Sequence, residues 1–134
     1  RPIEKIAAQE PASATVAAQP VDPALSARIM AVQAALTGAE NTLQQALTAA
    51  AAPAPAAERG SEAWVANQQG ISDLVRAQAG LRSIDDDIGA LAADVAQARV
   101  GGGDTAALGA QLATLRQRIN DLAAGAQAEI DKRR

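Results

Sequence analysis

The chain has 134 residues, a formal charge of −3 and an apolar share of 49%, most of it alanine, with one Trp, one Met and no Phe, Tyr, His or Cys. A chain of this length makes one domain. The missing Cys and His exclude a disulfide framework, a thiolate nucleophile, and the commonest metal ligand and general base, and the acidic balance gives no basic face for nucleic acid.

Alanine is roughly a quarter of the residues, about three times ordinary usage. Burying a Leu or Ile is worth about 1.5–3 kcal/mol, and an alanine methyl far less. A core made this way is thin, and high helix propensity with close backbone approach must compensate. No apolar run reaches the 18 or so residues of a membrane span. The chain begins Arg1-Pro2 and not with Met. We read this as the mark of a removed signal peptide, anchor or domain, and the expected setting is an exported bacterial envelope protein.

Residues 1–21 read as a Pro/Ala-rich flexible tail, punctuated by Pro2, Pro11 and Pro20, because such a segment buries too little apolar surface to offset its ordering. Ile3 and Ile6 offer an alternative, one helical turn that docks. Asp22 then N-caps the first helix, with Pro23 at the first helical position, where its missing N–H costs nothing. Leu25, Ile29, Val32, Leu36, Ala39, Leu43 and Leu47 form a heptad-like seam, which predicts a helix over 23–51 ended by Pro53 and Pro55.

Ser61 is the N-cap expected for the second helix, over 61–99. Trp64, Ile71, Leu74, Val75, Leu81, Ile84, Ile88, Leu91 and Val95 carry its apolar face, with Gln68 and Gln78 on or beside it. Gly101-Gly102-Gly103 is the second break. Asp104 or Thr105 caps a third helix over 104–132, in which Leu108, Leu112, Leu115, Ile119, Leu122, Ala126 and Ile130 repeat the spacing. Lys132, Arg133 and Arg134 complement its dipole.

Three amphipathic helices with short connections predict an all-α, antiparallel up-down-up three-helix bundle, coiled-coil-like and Ala-rich, with an extended N-terminal tail. The second helix exceeds its neighbours by roughly eight residues, about 12 Å. One end should therefore protrude, or be covered by the tail or a second copy. Gly38, Gly70, Gly80, Gly89, Gly109 and Gly125 lie inside predicted helices. They either let helices approach closely or are tolerated on open faces.

Little of this sequence carries chemistry. Asp85-Asp86-Asp87 cannot converge on one cation, because successive helical residues point about 100° apart, and no calcium-loop pattern is present. With Arg82 one turn earlier, the cluster reads as a solvated, partly paired face. Asp73 with Arg76, Arg118 with Asp121, and Glu129 with Arg133 read as helix-surface pairs. Lys5 and Lys132 sit in exposed segments and make no activated nucleophile.

No enzyme activity, cofactor, metal or nucleic acid is therefore expected. Trp64 is the one candidate partner contact. It is either a plug closing the core or an exposed anchor, with Gln68 or Gln69 bonding its indole. The expected function is a non-enzymatic helical module for structure or protein interaction, including self-association. A carrier of an apolar ligand, or a bundle lying on lipid, is the alternative.

Overall fold

The computed structural model describes residues 22–134, so the expectations placed on residues 1–21, including Ile3, Ile6 and Lys5, lie outside the described residues. Three helices follow in order: α1 (Pro23–Ala49), α2 (Glu62–Val100) and α3 (Ala106–Arg133). They form an antiparallel up-down-up bundle, with contacts among all three and no strand among the described residues.

Each end has a local cause. Asp22 Oδ1 accepts the Ala24 N–H at 2.9 Å, with Pro23 following, as the cap pattern requires. α1 stops at Ala49, two residues before the expected end, because Ala50 is already extended (φ −65°, ψ 134°). Ser61 Oγ accepts the Trp64 N–H at 3.2 Å and starts α2. The end of α2 is a Schellman motif. The Gly103 N–H reaches Ala98 O at 2.9 Å and the Gly102 N–H reaches Arg99 O at 3.0 Å, with Gly102 at φ 93°. Of the three consecutive glycines, Gly102 is therefore the one whose conformation excludes a side chain. Thr105 occupies the cap position of α3 without a side-chain cap bond, and Asp104 Oδ1 accepts the Ala106 N–H at 3.4 Å.

The core is one continuous file of aliphatic side chains. Ile29 and Leu36 from α1, Leu74, Leu81, Ile88 and Leu91 from α2, and Ile119 and Ile130 from α3 are each at most 2% exposed. α2 supplies the middle, since α1 and α3 each pack along it more extensively than against each other. The predicted seams hold, with some displacements. Val75 is 40% exposed, because it lies about 100° round the helix from the fully buried Leu74. Ala39, Leu47, Ile71, Leu108 and Leu122 are half-buried at the margins. Gln68 is exposed. Gln78 is buried and donates to Ala123 O and Gln127 Oε1 across to α3.

The extra length of α2, 39 residues against 27 and 28, is absorbed within the chain. The α1–α2 connection and the last turn of α3 close over its first turns, through bonds at Asn67.

Each helix pair is tied by one ion pair: Arg28–Asp94 between α1 and α2 at 2.6 Å, Arg116–Asp85 between α2 and α3 at 3.4 Å, and Arg118–Glu40 between α3 and α1. Two of these replace expected local pairs. Asp85 takes Arg116 and not Arg82. Arg118 forks onto Glu40, with Nη2 at 2.6 Å from Oε2, while Asp121 accepts from Gln117.

The interior glycines divide between the two readings. A Cβ at Gly38, Gly80, Gly109 or Gly125 would meet nothing within 4 Å. One at Gly89 would stand 3.1 Å from the Arg116 guanidinium, and one at Gly70 would touch the Arg133 side chain and the Ala50 Cβ. Gly80→Ala is expected to raise stability by about 0.8–1 kcal/mol, the helix-propensity difference. Gly102→Ala is expected to lower it by about 1–2 kcal/mol, because a Cβ is strained at positive φ. Urea unfolding of the two variants should move the midpoint in opposite directions.

Candidate functional site

Among the described residues, the one cluster of buried polar side chains sits where α2 begins and α3 ends. Asn67 is 2% exposed. Its Oδ1 accepts the Ala54 N–H at 3.0 Å and its Nδ2 donates to Arg133 O at 2.8 Å. Arg133, 5% exposed, donates from Nη2 to Ala51 O at 3.2 Å, and from Nη1 to Glu129 O at 2.8 Å and Glu129 Oε2 at 2.9 Å. Its Nε has no partner. The Arg133 side chain lies over Gly70, where a Cβ would stand in ordinary contact with it, 3.4 Å from Nε.

This arrangement binds three segments of chain into one knot. Sequence patterning read Arg133 as a dipole-complementing surface charge and gave Asn67 no role. A lone Asn among apolar neighbours is a signal, but its partners are backbone groups far along the chain, which no local spacing reveals. Apart from Arg133 Nε, the buried side-chain nitrogen and oxygen atoms of the knot all have partners. Its role is to hold the end of the bundle shut.

Glu129 is held below the usual carboxylate range, first by its bond from Arg133 and then by that from Lys132, with burial opposing. Glu40 is lowered in the same way by the Arg118 fork, and Arg118 is raised by Glu40.

The other sequence candidates are dispersed. Asp86 and Asp87 are exposed, and among the described residues no group of three His, Cys, Asp or Glu side chains is placed to hold a metal ion. Lys132 Nζ pairs with Glu129 at 3.0 Å. Trp64 is half-buried in the first turn of α2, with exposed Val65 beside it. Gln69 donates to Asp73 at 2.9 Å, and the exposed Gln68 leaves the expected bond to the indole without support.

An open groove of about 710 Å³ lies at the opposite end, between the last turns of α2 and the first of α3. Ala92, Val95, Ala96, Val100, Ala106 and Gly109 give it apolar walls, and Arg99 and Asp104 stand on its rim. Asp104 and Thr105 bring a carboxylate and a hydroxyl to it. No helix among the described residues is long and apolar enough to cross a membrane. No protein-family model matches the chain, and neither a curated protein nor a solved structure shows a match to it.

Asn67→Ala would strand the Ala54 N–H and the Arg133 carbonyl inside the knot. The expected loss is about 1–3 kcal/mol, from the cost of unsatisfied buried groups, measured by denaturant unfolding. The Glu129 carboxylate stabilises the fold above its unfolded range, near its ordinary value of 4.5, and that contribution is lost as pH falls through the lower folded value. Glu129→Gln is accordingly expected to flatten the stability–pH curve below about pH 4.5. An unchanged slope would remove Glu129 from the acid response.

Proposed function

We propose that this chain is a non-enzymatic helical module for structure or protein interaction, acting by helix-on-helix association in an exported, envelope-associated setting of a bacterium. The observation that carries the reading is the outer face of α2. Val65, Val75 and Val100 are 54%, 40% and 82% exposed, and the stretches between them are rich in Ala. Three of the four exposed large apolar side chains of the described residues thus stand on one helix, the fourth being Met30 on α1. A long helix with apolar side chains in solvent gains by packing on another helix. Trp64, half-buried beside Val65, stands at the edge of that face.

Native mass spectrometry of protein purified gently from its own host tests the proposal. Bare multiples of the 13.5 kDa chain, or a stoichiometric second polypeptide, are the expected result. A bare single chain at high concentration would overturn it. The apolar groove between α2 and α3 favours one second reading, a carrier of an apolar ligand. Added mass of a few hundred daltons, of the order expected for one small molecule in a pocket of that size, would establish that reading in its place. Fractionation of host cells tests the setting, and recovery in the cytoplasm overturns export.

A further inference from the structure

Val65, Ser72, Ala79, Asp86, Ala93 and Val100 recur at intervals of seven along α2, and all six are exposed. They run the length of the helix on the side away from its own core, about 52 Å at helical rise. Val75 and Arg82 stand beside them, each three residues on from one of the six and also exposed. A repeat of seven keeps a seam facing one partner helix along its whole length.

The charges on this seam are distributed in a way that identifies the partner. Asp85 and Asp94 on the flanks are taken by Arg116 and Arg28 within the bundle. Arg82, beside the seam, and Asp86, on it, belong to no ion pair among the described residues. One is positive, the other negative, and they lie four residues apart at the middle of the helix. A two-fold interface places the same patch on both partners, so it needs a patch complementary to itself. Arg82 and Asp86 satisfy this when a second helix runs antiparallel with its centre between them.

We propose that a second copy of this chain packs antiparallel along the outer seam of α2, with Arg82 of each chain paired to Asp86 of the other. The inference rests on the interaction-module reading and names its partner. The same register sets Val75 of one copy against Ala93 of the other and brings Ser72 and Ala79 into the seam, where small side chains let helix axes approach to about 8 Å. The parallel alternative sets Asp86 beside Asp86 and Arg82 beside Arg82, and like charges at one height oppose it. The two orientations differ in the sign of their central contacts, so charge selects between them.

The experiment uses the full chain. Sedimentation velocity over a range of concentrations compares wild type, Arg82→Glu, Asp86→Lys and an equimolar mixture of the two variants, with circular dichroism confirming that each folds. Wild type is expected to dimerise, each variant alone to dimerise at least about tenfold more weakly, and the mixture to regain the wild-type affinity, because each site again meets its opposite charge. Direction is read from single cysteines in this cysteine-free chain. Val75→Cys mixed with Ala93→Cys is expected to form an interchain disulfide on oxidation. Val75→Cys alone is not, because antiparallel copies hold the two 75 positions about 27 Å apart, far beyond the reach of a disulfide.

A strictly monomeric wild type, an unaffected dimer of Arg82→Glu, or self-cross-linking of Val75→Cys would each overturn the proposal. A monomeric chain recovered with a stoichiometric second polypeptide, or a dimer joined elsewhere, would sink this inference and leave the interaction-module reading standing.

Discussion

The bundle depends on the burial of α2 against both neighbours at once. An alanine-rich sequence supplies few large apolar side chains, so no helix pair can make a self-sufficient core. The chain concentrates its Leu and Ile on lines that meet along α2, where Leu74, Leu81, Ile88 and Leu91 are almost wholly enclosed. α1 and α3 pack chiefly along this strut and less against each other. Every other feature is arranged around it: the ion pairs align the outer helices on it, the glycine turn releases α3 from its end, and the polar knot closes its beginning.

The ion pairs and the knot differ in kind. Arg28–Asp94 and Arg116–Asp85 lie in partly exposed positions, where solvent screening leaves little stability. Their effect is alignment, one pair for each helix interface, with the Arg118–Glu40 fork completing the set. The knot is buried, and its bonds run to backbone groups that would otherwise be unsatisfied. Asn67 holds the α1–α2 connection and the end of α3 together, and Arg133 returns a bond to Ala51. The first half of that connection is fastened at Ala51 and Ala54 although it has no regular structure.

The outer seam proposed for association reflects the same scarcity. A strut that buries its best residues inward is left with an outer face of small residues, valines and charges, Arg82 and Asp86 among them, that pair with nothing in the bundle. The proposed dimer rests on the complementary positions of Arg82 and Asp86 on that face. Within the described residues the two ends of the bundle also contrast. One is sealed by the knot, and the other carries an open apolar groove between α2 and α3.

Local rules were sufficient for the helices themselves. The two breaks, the caps at Asp22 and Ser61, and the seams of Leu and Ile depend on residues within a turn or two of each other, and the structure places them close to where those rules do. What failed was whatever depends on a distant segment. Spacing paired Arg118 with Asp121, and the fold brings Glu40 nearer. It placed Val75 on the core face, and packing against two neighbours rotated that face away from it. It had the surplus length of α2 protruding or covered by the tail or a second copy, and the α1–α2 connection with Asn67 and Arg133 closed over it. The sequence by itself determined which stretches are helical and which side of each is apolar, because propensity and periodicity act over a few residues. Only the tertiary structure decided which charges meet, which glycines lie beneath a guanidinium, and which polar groups are buried, because those outcomes join residues tens of positions apart.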